Sequence, residues 1–268
     1  MPLGNAVDAV NQGFQSLNTT TGVWNGRTLT PGAGISITNQ DGTGGNPVIT
    51  ATGMVPDPFG TVYLVDDFVY TDTSTLTGDT GWQVNAVVTN ANGTGNHVGI
   101  ASVGSSGGAS GSIVKGNASN RNGIVLGQGV LTVEFLVNVR STNASTLIVG
   151  LSSSNAAAEP TDGVYFLYTS GTNSGKWVGK TANASSRSSA NSNDTVVAGQ
   201  WDRLKITVNA AATSVAFYVN NVQIANSPLA TDIPTSPLDL RVAVTSSAGG
   251  GTCDVDLCVF SYVLTTPR

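Results

Sequence analysis

Residues 130–140, VLTVEFLVNVR, decide the fold class, because apolar and polar side chains alternate along them. The apolar residues of one face are Leu131, Val133, Phe135, Val137 and Val139. Successive side chains of an extended strand point to opposite faces, so a period of two predicts a β-strand with one face against a core.

Similar alternating runs continue through the rest of the chain. They lie at 145–151, 163–169, 176–181, 201–209, 213–219, 238–245 and 253–264. Asn220 and Asn221 follow one run and fit a tight hairpin turn, since Asn tolerates positive φ. About a dozen strands with one apolar face each fit two stacked antiparallel sheets. From the boundary at Pro56, residues 56–268 are therefore predicted to form an all-β, two-sheet sandwich of jelly-roll type.

The two cysteines, Cys253 and Cys258, lie five residues apart within one of these runs. An odd spacing places them on opposite faces of a regular strand, so an intrastrand disulfide is not expected. Two cysteines alone are also too few for a zinc site. We expect both to be small, buried apolar residues.

Residues 1–22 carry the only helical pattern in the sequence. Its apolar positions are Leu3, Val7, Val10, Phe14 and Leu17. Their spacing is typical of a coiled-coil seam, although two heptads are too few for a stable isolated helix. The segment is predicted to be a short helical anchor, either in a coiled coil or packed as an amphipathic helix on this chain or a partner.

Residues 23–55 contain short apolar runs between Gly-rich turns, with Ile35 and Ile37 in one run and Val48 and Ile49 in another. So few residues in short strands bury no core of their own and need neighbours. Identical segments from other subunits are the simplest source of such neighbours. The segment is therefore predicted to be a thin β-stalk of a homo-oligomer.

Charge is scarce, with 16 acidic and 11 basic side chains in 268 residues and a net charge of −5. Phosphate binding needs clustered Lys and Arg, so a broad nucleic-acid surface is not expected. A membrane span needs roughly 18 consecutive apolar residues, and a secretory signal opens with a basic segment. The sequence shows neither pattern, so we expect no membrane insertion and no signal peptide.

Residues 26–52, GRTLTPGAGISITNQDGTGGNPVITAT, resemble a segment that recurs in bacteriophage tail-fibre proteins, where R-x-L-T-x-G-x-G-I-x-I-x-N precedes G-x-x-G-N-P-x-I. The matching positions are Arg27, Leu29, Thr30, Gly32, Gly34, Ile35, Ile37, Asn39, Gly42, Gly45, Asn46, Pro47 and Ile49. The resemblance implies a homotrimer with an intertwined β-stalk. The trimer contacts would then be Leu3, Val7, Val10, Phe14, Leu17, Ile35, Ile37 and Ile49.

Residues 161–263 resemble the concanavalin-like, laminin-G-like sandwiches that end many phage tail proteins. The pieces that carry this resemblance are DGVYFLYTSGTNSGKWVGKTA, AGQWDRLKITVNAAATSVAFYVNNVQIA and CDVDLCVFSYV. The resemblance implies the fold of this region. It does not imply an activity, because the same fold hosts lectins, glycosidases and passive virion spacers.

Residues for catalysis are mostly missing. His97 is the only histidine, and GSSGG at 104–108 lacks the strand-turn-helix context of a nucleophile elbow. The laminarinase-like relatives carry E-x-D-x-x-E, whereas Glu134 and Glu159 have no acid at i+2. Asp254 and Asp256 share a face, but calcium needs six to eight oxygen ligands. We expect no enzymatic activity, no cofactor and no bound metal.

Sugar binding on a sandwich usually combines an aromatic platform with polar groups of loops or a concave sheet. The candidate ligand-binding residues are Trp82, His97, Tyr168 and Trp177, with Tyr165 as the alternative to Tyr168 on the other face of its strand. Core packing between the sheets is the competing role for each aromatic. Trp177 is expected to be exposed and Trp201 to lie in the core.

The predicted function is that of a phage virion structural protein, a short trimeric tail fibre or tip. Its N-terminal region would bind another virion protein of the tail, baseplate or capsid, and its sandwich would attach to a host surface glycan. The protein would be assembled in the host cytoplasm and reside in the virion. Two alternatives stay open: a capsid head fibre or decoration protein without a receptor role, which the short stalk favours, and a polysaccharide depolymerase.

Overall fold

The computed structural model describes the following residues: 14–18, 23–27, 35–38, 48–51, 59–69, 76–77, 80–85, 88–91, 96–97, 99–105, 110–115, 123–141, 145–154, 158–246 and 250–266. The chain divides into two compact units, Met1–Pro56 and Asp57–Arg268. This division falls one residue after the domain boundary proposed from sequence. Within the described residues, no helix is long and apolar enough to cross a membrane.

The first unit contains two small antiparallel hairpins among its described residues. β1 (Phe14–Asn18) pairs with β2 (Val23–Arg27), and β3 (Ile35–Thr38) pairs with β4 (Val48–Ala51). β3 and β4 lie where the apolar runs of the predicted stalk lie. In the second hairpin, Ile37 is the paired neighbour of Ile49.

The predicted helix is wrong at Phe14 and Leu17, because both residues belong to β1. Gly13 precedes the strand, and a glycine inside a helix costs about 1 kcal/mol relative to alanine. Pairing with β2 supplies the backbone hydrogen bonds that the helix would have supplied. The coiled-coil seam therefore does not hold at these two positions, while Leu3, Val7 and Val10 lie outside the described residues.

The second unit is a sandwich of two antiparallel sheets, as predicted. Its strands are β5 (Thr61–Asp66), β6 (Leu76–Thr77), β7 (Trp82–Asn85), β8 (Val88–Ala91), β9 (Ile100–Gly104), β10 (Gly111–Lys115), β11 (Gly129–Val139), β12 (Ser145–Ser152), β13 (Gly163–Thr169), β14 (Lys176–Asn183), β15 (Ser186–Thr195), β16 (Trp201–Val208), β17 (Val215–Val219), β18 (Val222–Gln223), β19 (Asp239–Ser246) and β20 (Thr252–Leu264). A short 3-10 turn at Asn173–Gly175 precedes β14.

Each sheet has eight strands in the described part of the chain. Sheet 1 has the order β15-β14-β13-β12-β19-β10-β7-β6. Sheet 2 has the order β18-β17-β16-β11-β20-β9-β8, and β5 also pairs with β20. The long central strands β11 and β20 therefore lie side by side in sheet 2, where they position most of the site described below.

The core lies between the two sheets and follows the predicted alternation. The five apolar residues of 130–140 are all buried there, together with Leu204, Ile206 and Val208 of β16 and Val215, Phe217 and Val219 of β17. The predicted turn after β17 is also confirmed, since Asn220 and Asn221 adopt positive φ of 51° and 67°. The apolar positions that the alternation predicts and the buried residues of the structure therefore agree in β11, β16 and β17.

Candidate functional site

Trp82 and Trp177 are core residues, so their assignment as surface ligand-binding residues is wrong. Both side chains are fully buried. The indole Nε1 of Trp82 donates to Asp66 Oδ2 at 2.9 Å, and that of Trp177 donates to Asp202 Oδ2 at 2.9 Å. Each indole can lie in the core because its one polar atom finds a buried carboxylate.

Tyr168 is also a core residue and no surface platform. Its side chain is 2% exposed, and its ring centroid lies 5.8 Å from that of Trp177. The alternative, Tyr165, faces away from the core but is fully buried, and its hydroxyl donates to Glu159 Oε1 at 3.1 Å. Burial and the neighbouring Glu159 carboxylate raise the pKa of Tyr165. Neither tyrosine presents an open ring.

His97 is the one sequence-predicted residue that belongs to a polar surface site. Its Nδ1 lies 2.7 Å from Asp256 Oδ2, and its ring stacks on Trp201 with centroids 4.1 Å apart and planes 20° apart. An ionised carboxylate only accepts hydrogen bonds, so Nδ1–H of His97 donates to Asp256. Trp201, which was predicted to lie in the core, is half-buried beside His97.

A row of residues that are paired across four strands crosses sheet 2 and ends at Trp201. Ser102, Asp254, Asn138 and Trp201 are successive neighbours on β9, β20, β11 and β16. Their strand neighbours Val137, Val139, Cys253 and Val255 lie in the core, so the row points to the outer face of the sheet. Ser102 Oγ donates to Asp254 Oδ1 at 2.7 Å, and Arg140 pairs with Asp254 Oδ2.

A β-bulge aims Asp256 at His97. Leu136 pairs with Leu257 and Val137 pairs with Val255, so Asp256 is an extra residue on β20. Asp256 and Leu257 are therefore consecutive residues of β20 on the outer side. Bulges recur next to functional sites, where they redirect a side chain.

Asn138 holds a buried acceptor without a partner. The residue is 8% exposed, its Nδ2 donates to Gly199 O at 3.2 Å, and its Oδ1 has no hydrogen-bond partner among the described residues. A flipped amide would set Oδ1 against the Gly199 carbonyl, so the donor contact fixes the orientation. An unpaired buried acceptor costs about 1–3 kcal/mol, and this oxygen is shielded from solvent and so from a ligand at the surface.

The chain beside His97 is held by close backbone packing. A Cβ at Gly99 would lie 2.3 Å from the carbonyl oxygen of Asp67, so only glycine permits this approach. Asp67 Oδ1 is a second buried oxygen without a partner in the described part of the chain. Gly99 thus sets where the segment that carries His97 leaves the sandwich.

The geometry favours binding of a hydroxyl-rich ligand over nucleophilic chemistry. The stacked His97 and Trp201 rings offer an aromatic surface on the outer face of the sheet, and the Nε2 atom of His97 offers a further polar group. Ser102 donates to Asp254 and not to His97, so it does not form a Ser-His-Asp arrangement. Sequence reasoning missed Trp201 and Asp256 as partners of His97, and it missed Asn138 as the neighbour of Trp201 across the sheet. The D-x-D pattern at 254–256 was a usable signal, but the bulge was not visible.

A second polar cluster lies on the outer face of sheet 1. Glu159 pairs with Lys180 at 2.5 Å and lies 3.9 Å from Arg187. Nearby, the fully buried Arg241 donates to Ser154 O at 2.8 Å, and burial lowers the pKa of its guanidinium to about 10. The carboxylate of Glu159 and the ammonium group of Lys180 thus already have partners within the chain, so this cluster is structural in character.

The two-sheet architecture with an outer-face polar site defines a concanavalin-like sandwich. Residues 96–256, more than half of the chain, match the family described as SO2946-like, C-terminal domain. The chain therefore belongs to this family, and His97, Asn138, Trp201 and Asp256 all fall within the matched span. No curated protein sequence matches the chain.

Solved structures with a similar fold come from proteins of different kinds. The protein of unknown function SO2946 from Shewanella oneidensis MR-1 has a TM-score of 0.54 at 17% identity, with 78% of this chain and 89% of that chain covered. The carbohydrate recognition domain of Emp47p has a TM-score of 0.56 at 11% identity, with 78% and 100% covered.

A prokaryotic β-1,3-1,4-glucanase (lichenase) derived from a mouse hindgut metagenome has a TM-score of 0.50 at 12% identity, with 74% of this chain and 98% of that chain covered. Identities this low show a shared fold and nothing about activity.

Proposed function

We propose that this chain is a phage virion structural protein, a short trimeric tail fibre or tip that attaches to a host surface glycan through its sandwich. The site around His97 would bind the glycan, and the N-terminal region would bind another virion protein. The likeness to the Emp47p carbohydrate recognition domain is compatible with glycan binding. The fold alone does not carry the proposal, because it hosts several functions.

The observation that carries the glycan assignment is the stacked pair of rings, His97 and Trp201, on the outer face of sheet 2. His97 contacts Asp256 on β20 and Trp201 on β16, and β11 with Asn138 lies between these two strands. The C–H face of a sugar would stack on an aromatic ring of this pair, and the sugar hydroxyls would bond to polar side chains around it. Charged partners are less well suited, since Arg140 already pairs with Asp254.

The first unit supports the trimeric part of the proposal. β3 and β4 are four-residue strands, and two such strands bury no core by themselves. Ile49 is 64% exposed and Val48 is 56% exposed in the single chain. Burying these side chains between three copies would stabilise a stalk, and three linked weak sites raise avidity by about 10²–10⁴.

Binding without cleavage is proposed because the two glutamates are far apart and the two aspartates of the site already have partners, Asp254 with Ser102 and Arg140 and Asp256 with His97. Glu134 lies on the outer face of sheet 2, paired with Arg203 and Lys205, whereas Glu159 lies on the outer face of sheet 1. Stacked sheets are about 10 Å apart, and glycosidases hold their two carboxyl groups within about 5–9.5 Å. A reducing-end assay on polysaccharides that bind the protein tests this part, and release of oligosaccharides would contradict it.

The glycan assignment is tested by binding of the full chain to host surface polysaccharides, measured by a glycan array and then by calorimetry. We expect His97→Ala and Trp201→Ala to weaken binding by about tenfold or more, which is about 1.4 kcal/mol. Tyr218→Ala is the matched control, because Tyr218 lies under Lys205 on the same outer face but outside the site. Equal binding by all variants would overturn the assignment.

The virion location is tested by immunogold electron microscopy of the parent phage with antibody against residues 56–268. Gold at the tail or baseplate agrees with a receptor-binding fibre. Gold distributed over the head would instead make the chain a head fibre or decoration protein.

A further inference from the structure

We propose that protonation of His97 regulates the site that this residue forms with Asp256 and Trp201, so that glycan binding strengthens as the pH falls from about 8 to about 5.5. The charged ring would be held by both partners, and it would balance the negative charge of Asp256. The inference rests on the proposed glycan binding, because it concerns the regulation of the same site.

His97 is the only histidine in the chain. Histidine is the side chain whose charge ordinarily changes between about pH 5 and 8, whereas carboxylate, lysine and arginine side chains keep their charge there. Outside the side chains, an α-amino group also titrates in this interval. A response of the site in this interval can therefore be assigned by replacing His97 alone.

Asp256 is the first partner that responds to the charge of His97. Its Oδ2 lies 2.7 Å from His97 Nδ1, and Asp256 has no other hydrogen-bond or ion-pair partner in the part of the chain that the structure describes. The side chains of His97 and Asp256 are only 15% and 11% exposed, so water and salt screen this pair less than an open surface pair. A protonated His97 therefore forms an ion pair with Asp256, whereas a neutral His97 leaves its charge unbalanced.

Trp201 is the second partner that responds. The rings of His97 and Trp201 are stacked, with centroids 4.1 Å apart and planes 20° apart. A cation within about 6 Å of an indole face is attracted by the negative face of the ring. The protonated imidazole would thus be held at its edge by Asp256 and on its face by Trp201, and the aromatic surface for a sugar would be most firmly formed in acid.

The other charged groups on this part of the outer face of sheet 2 already have partners. They are Asp254 with Arg140, and Glu134 with Arg203 and Lys205. Beside the segment that carries His97, the backbone of Gly99 approaches Asp67, which is a further acid. All of these residue types ordinarily keep their charge between about pH 5.5 and 8. The proton on His97 is therefore the change of charge that the site undergoes in this interval.

Calorimetry tests the effect on binding, with the full chain and the host surface polysaccharide that binds most tightly in the glycan array. We expect the affinity to be about fivefold to tenfold higher at pH 5.5 than at pH 8. His97→Gln can still donate a hydrogen bond to Asp256 but takes up no proton, so its affinity should be independent of pH. Tyr218→Ala, outside the site, should keep the pH dependence of the natural chain.

A second measurement follows the stacked rings without a ligand. In a chain labelled with 5-fluorotryptophan, the ¹⁹F NMR signal of Trp201, assigned with Trp201→Phe, should shift with the same midpoint as the imidazole proton signals of His97. The signals of Trp82 and Trp177 are internal controls, because both indoles are buried in the core and should not follow this titration. In His97→Gln the Trp201 signal should stay constant over the same interval.

The outcomes separate this inference from the glycan assignment. An affinity of the natural chain that is independent of pH would overturn the regulation and leave the glycan assignment standing. A Trp201 signal that does not follow the titration of His97 would overturn the regulation whether or not a glycan binds. Absence of binding at every pH would overturn the glycan assignment, and the regulation of glycan binding with it.

Discussion

Cys253 and Cys258 both face the core of the sandwich, although they lie five positions apart along β20. An odd spacing puts two residues on opposite faces of a regular strand. The bulge at Asp256 lies between them and adds one residue, so the strand turns the same face inward on both sides. The prediction that both are buried is confirmed, but the prediction of opposite faces is wrong for this reason.

Deleting Asp256 is expected to leave the sandwich folded. The deletion removes the extra residue and keeps every other residue of β20 on its present face. The free energy of unfolding should fall only by the contribution of the lost contact with His97, which is about 1.5–3 kcal/mol for a hydrogen bond to a charged group. Thermal unfolding measures this loss, and glycan binding should fall as well.

Deletion of Val259 is the matched control, since it removes one residue from the regular part of the same strand. It would turn Phe260 and Tyr262, which now face inward, away from the core. Loss of a buried aromatic residue costs about 3–5 kcal/mol, so this variant should not fold. If both deletions unfold the protein equally, the bulge is needed for the fold itself.

Trp82→Phe and Trp177→Phe should each destabilise the sandwich without changing glycan binding directly. Each removes an indole N–H from a buried carboxylate, Asp66 or Asp202. We expect a loss of about 1–3 kcal/mol in the free energy of unfolding, measured by urea denaturation. Trp201→Phe is the control, because Trp201 is half-buried and should change stability by less than about 0.5 kcal/mol. An unchanged stability for both core variants would contradict the hydrogen bonds.

Stability is expected to fall as the pH rises above 9. Burial raises the pKa of both thiols, Cys253 and Cys258, above the ordinary value of 9.0. Below that pH the thiols are protonated in both states. Above it only the unfolded chain releases their protons, so the native state binds more protons and the free energy of unfolding decreases.

The free energy of unfolding should fall by at most about 1.4 kcal/mol per pH unit for each thiol. Urea denaturation between pH 8 and pH 10, with reductant present, measures it. Cys253→Ala and Cys258→Ala should each flatten the curve, and Ser261→Ala, outside the core, should not. A curve that is equally steep in all variants would assign the effect to other groups.

The sequence predicted the sandwich because burial of one face forces a period of two, as in Leu131, Val133 and Phe135. It did not predict which aromatics are exposed, because that depends on partners from distant strands. Trp177 is buried because Asp202 accepts its N–H, and Trp201 is half-buried because His97 stacks on it. Neither contact can be recognised from the residues that lie next to these tryptophans in the sequence. The predicted helix was wrong at Phe14 and Leu17 for a similar reason, since pairing with β2 outweighed the local period.

Ile49→Ser is expected to dissociate the proposed trimer and leave the sandwich unchanged. Ile49 is 64% exposed in the single chain and pairs with Ile37 across the β3–β4 hairpin, so contacts to other copies are its available source of burial. Burying one such side chain contributes about 1.5–3 kcal/mol per copy, and three copies lose it together. Light scattering of the full chain should change from the mass of a trimer to that of a monomer, at the same melting temperature of the sandwich.

Val222→Ser removes an apolar side chain of similar exposure, 66%, from β18 and should stay trimeric. If the natural chain is monomeric, or if the Ile49→Ser variant stays trimeric, the first unit does not drive assembly.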